Sequence, residues 1–355
     1  MTDVQISADR IRAAWQGRVS GCILGKPVEV LSFQEGREGV ESYLRQGRAW
    51  PLRDYVPLVD GASLRSDASA CCRGQFSRAE PDDDINYSVL ALLLLEEHGE
   101  AFGTPDVARA WLKLLPAGTT WTAERAAYRT LLDNMDDEFV NGAEPGFDLS
   151  ECSNNDCNEW IGAQIRADLY GWVCPGRPGL AADLAQKDAA LSHRGEGING
   201  ARFIAALGAA IQSADTIDTA VEIASHEIPA DSEAFDAVTL GRSLVNSTDA
   251  VDQMHDYYEH LSPVHTLNNL ALVVWAVCSS NGDFGAAIGD TVAAGWDTDC
   301  NGATVGGLLG LAGLDISDAW TRPWQGRVGV SLAGYSELSL DDLVARTTRV
   351  GRALH

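Results

Sequence analysis

The chain is poor in basic residues relative to acidic ones. Of its 355 residues, 26 are Lys or Arg and 51 are Asp or Glu, so the formal net charge is -25. A protein that binds nucleic-acid phosphates needs a basic face that releases counterions, and an anionic membrane surface also attracts basic segments. We therefore expect neither a nucleic acid nor a membrane among the partners. A small phosphorylated ligand stays compatible with this charge if cations bridge it to carboxylates.

Long apolar runs and paired cysteines are also lacking. No run of eighteen or more apolar residues is present, so the sequence predicts no membrane span. The first residues, MTDVQISADR, lack the apolar core of a secretory signal. Eight cysteines are too sparse for a disulfide scaffold in a chain of this length, and they do not stand at zinc-site spacing. These features predict a cytoplasmic protein with free thiols.

Ala/Leu-rich stretches with helical periodicity dominate, and alternating β-branched runs are scarce. The fold class predicted is therefore all-α, because no alternation of strands and helices suggests a parallel sheet. No linker-like shift in composition divides the chain, so we expect one domain over residues 1–355, although the length would also suit two. Residues 26–81 and 133–158 lack sustained periodicity and are predicted as loops. Helices are predicted over 8–25, 85–98, 104–115, 123–134, 159–172, 178–191, 198–213, 216–226, 231–245, 249–260, 265–280, 283–294 and 302–313.

Three consecutive carboxylates, Asp82, Asp83 and Asp84, come directly before the run INYSVLALLLLEE. This run is apolar on nearly every face and predicts a buried helix. One Asp is explained as an N-cap and a second gains from the helix dipole, but three converging charges repel one another. A hard cation such as Mg²⁺ or Ca²⁺ would relieve that repulsion through oxygen ligands. The alternative is an over-charged cap at the surface.

A second acidic pair, Asp297 and Asp299, precedes a helix crowded with glycines. Each glycine inside a helix costs about 1 kcal/mol relative to alanine, so close approach of another backbone or a ligand is expected as compensation. No downstream Glu stands at the offset of a calcium-binding EF-hand. The pattern favours an oxygen-rich metal site, with capping aspartates beside close helix packing as the alternative.

The segment GRVSGCILGKPVEV carries a third feature. Gly17, Gly21 and Gly25 recur every four residues on one helix face, which lets another helix approach closely. Pro27 predicts the end of this helix and presents Glu29 from the following loop. A lone Glu after a proline is more often solvated than catalytic. Glu29 becomes a candidate because two carboxylate clusters already lack a partner.

A further set of residues is a candidate for substrate binding. Two glycines in the segment HRGEGING would let backbone amides face a phosphate at the next helix start. For His193 a structural role is the favoured alternative, because buried histidines usually have structural partners. Several tryptophans flank the motifs and could stack on an adenine, although buried aromatics are mostly core. The set comprises Asn155, Asp156, His193, Gly195, Gly197 and Trp296.

Taken in order, these elements resemble the ADP-ribosylglycohydrolase family, the fold of dinitrogenase reductase-activating glycohydrolase. The resemblance runs from about Gly17 to Gly313. It rests on the Gly-rich first helix ending GKPVE, the triple-Asp helix start, and the segments GAQIR, SHRGEGI and WDTDCNGATVGG. The resemblance implies a compact, orthogonal multi-helix all-α fold with a binuclear Mg²⁺ centre, sometimes Mn²⁺, in a cleft.

The same resemblance implies roles for individual residues. Glu29 falls on an acidic residue of a mobile loop that contacts metal or water near the scissile bond. With it, Asp83 and Asp299 are the expected catalytic residues. Metals would bind the ribose hydroxyls and a bridging water. The metal ligands carried over by position are Asp82, Asp83, Asp84, Asp297, Asp299 and Cys300.

Three positions depart from the family pattern. Cys22 replaces an Asp, and Asp82 stands where Thr is usual, which adds a hard anionic ligand. Cys300 stands where a Thr hydroxyl normally completes the shell of the second metal. Because a thiol is a poor Mg²⁺ ligand, the alternatives at that position are weak binding, Mn²⁺, or completion by water or Asn301.

The activity implied is hydrolysis of a ribosyl C1 glycosidic bond. The leading hypothesis is removal of ADP-ribose from an N- or O-linked acceptor, with an ADP-ribosylated substrate as the partner. One alternative is a hydrolase of a small nucleoside or ribosylated metabolite. Another is a non-catalytic ADP-ribose-binding or structural protein, since the family includes lens crystallins. The sequence gives no indication of oligomeric state.

Overall fold

The computed structural model describes residues 4–61, 64 and 66–354. Helices dominate, which confirms the all-α prediction, and the only sheet in these residues is a small antiparallel hairpin of β1 (Arg327–Leu332) and β2 (Tyr335–Ser339). The helices are α1 Ala8–Gly25, α2 Glu29–Gln46, α3 Ser66–Ala70, α4 Asp83–His98, α5 Thr104–Leu114, α6 Thr122–Asn134, α7 Asp137–Val140, α8 Asp168–Trp172, α9 Pro178–Ala189, α10 Gly195–Ile211, α11 Ile217–Ser225, α12 Glu233–Ser243, α13 Ala250–Tyr257, α14 Thr266–Cys278, α15 Phe284–Ala293, α16 Thr298–Ala312, α17 Asp318–Thr321 and α18 Leu340–Ala353.

Helices α1 and α16 make a backbone-to-backbone contact at the centre of the fold. A Cβ atom on Gly17 would lie 1.9 Å from the carbonyl oxygen of Gly306, and one on Gly21 would lie 1.9 Å from that of Gly302. No side chain fits at such a distance, because interiors are close-packed. The close approach that the glycine spacing predicts on both segments is confirmed.

The same contact continues to the ends of the two helices. A Cβ on Gly25, the last residue of α1, would lie 2.2 Å from the carbonyl oxygen of Thr298, the first residue of α16. The Thr298 hydroxyl donates a hydrogen bond to the Gly25 carbonyl at 2.8 Å. The residues that follow α1 and those that precede α16 are therefore held together.

Helix α4 is buried from Asp84 to Leu92, which confirms the prediction from its all-round apolar sequence. Its N-cap is Asp82, whose Oδ1 accepts a hydrogen bond from the backbone amide of Asp84 at 3.1 Å. The acidic triplet thus begins a helix whose remaining length is fixed in the core.

Residues 26–81, predicted as a loop, contain helices α2 and α3, so that prediction was wrong over 29–46 and 66–70. The loop predicted over 133–158 was wrong over 137–140, where α7 lies.

Gly36 breaks helix α2 with a φ of 68°, a conformation that glycine adopts readily. The buried apolar residues of α2 all follow this break, so they form too short a stripe to mark the whole helix in the sequence. Glu29 accordingly begins a helix instead of lying in a loop. The buried face of α2 carries Ser32, Gly39, Val40, Tyr43 and Leu44.

Residues 159–172, predicted as one helix, form a 3-10 helix over Ile161–Arg166 followed by the short α8. Every residue from 161 to 175 is buried. The backbone conformation of this segment is therefore set by contacts on all its sides, and not by the burial of a single apolar face.

The sequence patterns predict no element beyond residue 313, where the structure has the hairpin and α18. The hairpin holds the segment that leads into the acidic triplet. The Ala79 amide donates to the carbonyl of Arg327, and the Gly329 amide donates to the carbonyl of Ala79, both at 2.9 Å. Asn86 of α4 accepts a hydrogen bond from the Ser331 amide at 2.9 Å.

All eight cysteines lie in described segments and are unpaired, as predicted. Across the described residues, no helix is both long and apolar enough to cross a membrane.

Replacing Gly17 by alanine tests the contact between α1 and α16. The new Cβ would meet the Gly306 carbonyl at 1.9 Å, so we expect Gly17→Ala to lower the free energy of unfolding by about 2 kcal/mol or more. Gly146→Ala is the matched control, because no atom lies within 4 Å of a Cβ at that position. Urea denaturation of both variants measures the difference. Equal midpoints for Gly17→Ala and the wild type would contradict the contact.

Candidate active site and metal centre

The acidic elements that the sequence marks separately converge on one cavity of about 280 Å³. The junction of α1 and α2, the start of α4 and the start of α16 all reach it. Asp82 lines a smaller cavity of about 140 Å³, which shares part of its wall with the first. The lining of the larger cavity includes Lys26, Glu29, Asp83, Asp297, Asp299 and Cys300, together with Phe33, Trp121, Glu124 and Trp160.

Potential metal ligands cluster at this point. Three sets of residues each offer ligand atoms that lie within 4.8 Å of one another. Asp84 belongs to two of these sets, and so does Asp299. The sets are Cys22, Asp82 and Asp84; Asp84, Asp299 and Cys300; and Glu29, Asp297 and Asp299.

Two carboxylate oxygens in the cluster have no hydrogen-bond partner among the described residues. They are Oδ2 of Asp84 and Oδ1 of Asp297, both buried. Burial raises the pKa of each carboxyl well above its ordinary value, and neighbouring carboxylates raise it further. A buried anionic oxygen without a partner is costly, so this part of the cluster has the properties of a cation site.

Arg18, fully buried on α1, fixes the orientation of Asp84. Its guanidinium donates to the Asp84 carbonyl at 2.8 Å, to Asp84 Oδ1 at 3.3 Å and to Asp168 Oδ2 at 2.9 Å. The other oxygen of Asp84 is the unpartnered one. Arg18 therefore supports one side of the Asp84 carboxylate and leaves the other side available.

Lys26 is the residue of this site that the sequence analysis missed most clearly. Its Nζ lies 2.8 Å from Asp82 Oδ2, 3.1 Å from Glu29 Oε2 and 3.1 Å from Asp299 Oδ2. Burial opposes its charge, but Asp82, Asp299 and Glu29 outweigh burial and raise the pKa of the ammonium well above its ordinary value. In the sequence Lys26 is a single charged residue after the Gly-rich first helix, and its ion pairs with Asp82 and Asp299 depend on residues distant in the chain.

Asp82 is less free to bind a metal than its chemistry suggests. One of its oxygens accepts the hydrogen bond that caps α4, and the other contacts Lys26. Asp83 lines both cavities and is half-buried. It belongs to none of the three ligand sets found among the described residues.

Glu29 has the proton affinity expected of an acid or base near neutral pH. Burial and Asp299 raise the pKa of Glu29 to about 8, although Lys26 acts in the opposite direction. A general acid or base works best when its pKa is close to the working pH. Glu29 lines the cavity within reach of the carboxylate cluster.

Another part of the cavity wall comes from α6 and the 3-10 helix over 161–166, and the sequence patterns do not predict it. Glu124 is buried there, and its Oε1 accepts a hydrogen bond from Arg166 Nη1 at 2.8 Å. A Cβ on Gly162 would lie 2.1 Å from that oxygen, so glycine makes room for the carboxylate. An isolated Glu on an amphipathic helix carries no signal of this role in a single sequence.

The residues predicted to bind substrate are placed elsewhere, and the described cavity lining contains none of them. His193 is fully buried, and its Nδ1 lies 2.8 Å from the hydroxyl of Ser192. The amide of Asn155 donates to the Ser192 carbonyl at 3.0 Å, and its oxygen accepts from the Cys157 amide at 2.9 Å. These contacts fix a loop. The six residues are Asn155, Asp156, His193, Gly195, Gly197 and Trp296.

The predicted phosphate position at the start of α10 already faces a carboxylate. Glu159 Oε1 accepts a hydrogen bond from the Glu196 amide at 3.1 Å, and a Cβ on Gly195 would lie 2.3 Å from the same oxygen. Trp296 stacks on His255 with ring centroids 4.2 Å apart. Both arrangements are internal to the protein.

A sequence profile described as ADP-ribosylglycohydrolase matches residues 3–349. The chain belongs to the ADP-ribosylglycohydrolase family. Its fold is similar to that of a solved structure described as an ADP-ribosylglycohydrolase-related protein complex, with a TM-score of 0.57 and 19% sequence identity over 98% of this chain and 99% of that one. At this identity the likeness shows the fold. No curated protein matches the chain.

This member of the ADP-ribosylglycohydrolase family carries its three unusual residues inside the cluster. Cys22 lies with Asp82 and Asp84, and Cys300 lies with Asp84 and Asp299. Burial raises the pKa of both thiols well above the ordinary value, and nearby carboxylates add to the shift. Both cysteines therefore favour the neutral thiol, a weak ligand for a hard cation.

Arg18→Met tests the support of Asp84. Removing the guanidinium leaves Asp84 and Asp168 buried without their cation, which typically costs 3–5 kcal/mol, so we expect a loss of about 4 kcal/mol in the free energy of unfolding. The control is Arg12→Met on the same helix, whose partner Asp341 is exposed, and we expect at most about 1 kcal/mol there. Chemical denaturation compares them. Similar losses in both variants would contradict the role of Arg18.

Proposed function

We propose that this protein is a divalent-metal-dependent glycohydrolase that cleaves a ribosyl C1 glycosidic bond. Membership of a glycohydrolase family supports the reaction type. The observation that carries the proposal is the pair of unpartnered, buried carboxylate oxygens of Asp84 and Asp297 beside a cavity. Oxygen ligands of this kind suit Mg²⁺ or Mn²⁺.

The residues present fit such a cation on one side of the cluster. Asp84 and Asp297 supply oxygens without other partners. Asp299 offers a ligand atom within 4.8 Å of one from Asp84 in one set and of one from Asp297 in another. When bound, a divalent cation would hold ribose hydroxyls and lower the pKa of a bound water. Cys300 adds a thiol to the same side.

The protein's own side chains supply the rest of the chemistry. Glu29, with a pKa of about 8, holds or takes the proton that the attacking water or the leaving group exchanges. Glycoside cleavage passes through an oxocarbenium-like state with positive charge at C1. Carboxylates such as Asp83 and Asp299, fixed beside the cavity, stabilise that charge without reorganising.

An ADP-ribosylated acceptor is the first candidate for the substrate. Trp121 lines the cavity and has 47% of its surface exposed, so its ring is accessible to a ligand. The Arg125 guanidinium lies 4.9 Å from the centre of the Trp121 ring. In this proposal the ribose enters the cavity, and the adenine and phosphates lie at the mouth against Trp121 and Arg125.

A small riboside is the second candidate, and the cavity itself favours it. A volume of about 280 Å³ lies just below the range of roughly 300–1,000 Å³ that is common for drug-sized ligands. The described lining also carries more carboxylates than cations, which suits a neutral ligand better than a diphosphate. A family member that binds ADP-ribose without turnover is the remaining alternative.

A substrate panel decides among these candidates. We expect release of ADP-ribose from Arg-linked or Ser-linked peptides or from O-acetyl-ADP-ribose with Mg²⁺ or Mn²⁺, and none with EDTA, measured by mass spectrometry. Release of ribose from simple ribosides alone would identify the second candidate. Folded protein that binds ADP-ribose and releases nothing in any metal arm would contradict the hydrolase proposal.

Asp297→Asn tests the cation site within the same proposal. The change keeps the size of the side chain but replaces a carboxylate oxygen that has no partner. Loss of a supporting residue alone costs 10–100-fold in metal affinity, so we expect at least about a tenfold weaker affinity for Mn²⁺ and a parallel loss of turnover. Asp290→Asn, at an exposed pair with Arg53, is the control. Full metal affinity and full turnover in Asp297→Asn would contradict the site.

A further inference from the structure

The carboxylate cluster already contains a cation that belongs to the chain. The Lys26 ammonium contacts Asp82, Glu29 and Asp299 at 2.8 to 3.1 Å. These three residues come from three different elements. A single point charge bound by three carboxylates is the arrangement that an inorganic cation would otherwise take there.

The backbone leaves Lys26 little freedom to withdraw. It follows Gly25, whose backbone is in contact with Thr298 of α16. Lys26 is the C-cap residue of α1, and its backbone amide donates a hydrogen bond to the carbonyl of Cys22. Pro27 follows it directly. The close helix contact thus fixes the backbone of Lys26 near Asp299.

On the other side of the cluster, no described basic side chain contacts the oxygens that face away from Arg18. Asp84 Oδ2 and Asp297 Oδ1 are buried and unpartnered within the described residues, and the ligand atoms of Asp84 and Asp299 lie within 4.8 Å of each other. Arg18 contacts Asp84 through its other oxygen. Asp299 joins the two sides of the cluster, because its Oδ2 contacts Lys26 and its Oδ1 accepts a hydrogen bond from the Cys300 amide. The cluster is therefore divided into one part that Lys26 neutralises and one part in which an oxygen of Asp84 and an oxygen of Asp297 have no partner.

We propose that Lys26 takes the place of one divalent ion, so that the centre binds a single metal per chain, on the side of Asp84, Asp297 and Asp299. The ammonium occupies the carboxylates Asp82 and Glu29 that a second ion would need. This inference rests on the proposed function for the existence of a metal site, and it concerns the number of ions that the site holds.

The test is the stoichiometry of Mn²⁺ binding without substrate. The proteins are the metal-free wild type, Lys26→Met and the control Lys113→Met, which removes one of the two other lysines at an exposed position. Bound Mn²⁺ is counted by elemental analysis, and its electron paramagnetic resonance spectrum reports whether two ions lie close together. We expect one isolated Mn²⁺ in the wild type and the control, and two coupled ions in Lys26→Met.

Two coupled ions in the wild type would overturn the inference, and so would a single ion in a folded Lys26→Met. Circular dichroism checks folding, and Lys26→Gln, which keeps hydrogen-bonding capacity without the charge, replaces the first variant if that variant does not fold. If neither variant folds, the number of Mn²⁺ ions in the wild type still tests whether the centre holds one ion. A negative substrate panel would remove the hydrolase proposal and leave the count of one intact, whereas no bound ion in the wild type would remove both.

Discussion

The contact between α1 and α16 is the constraint on which the rest of the site depends. Glycines at Gly17 and Gly21 let the two backbones meet without intervening side chains. Helices in contact through side chains usually lie 8–10 Å apart, and glycine allows a closer approach. This contact places Lys26, at the end of one helix, beside Asp299, at the start of the other. Carboxylates far apart in the sequence thus become neighbours.

Bringing these carboxylates together is electrostatically unfavourable, and two basic side chains, Arg18 and Lys26, offset the repulsion. Arg18 pairs with Asp84, and Lys26 pairs with Asp82 and Asp299. Both side chains come from the α1 segment, so one element supplies the close packing and the charges. The oxygens left without partners define where an external cation is needed.

The sequence predicts the parts of this arrangement that depend on repeated local patterns. Glycine spacing on both segments predicts the helix contact, and the acidic helix starts predict the carboxylate cluster. Lys26 and Glu124 were not predicted, because one charged residue has no pattern and its role depends on residues distant in the sequence. Helix α2 was missed because Gly36 interrupts it and its buried apolar residues are confined to its second half. The substrate candidates were chosen as polar residues, glycines and an aromatic near the motifs, and the structure gives several of them contacts within the protein.

The hairpin of β1 and β2 affects when the site can form during synthesis of the chain. Ala79, three residues before the acidic triplet, donates a backbone hydrogen bond to Arg327 and accepts one from Gly329. Asp82 and its neighbours are therefore positioned by residues synthesised about 250 positions later. An emerging chain on the ribosome can form many of its helices early, but the contacts that hold Ala79 form only after residues 327–329 have left the exit tunnel.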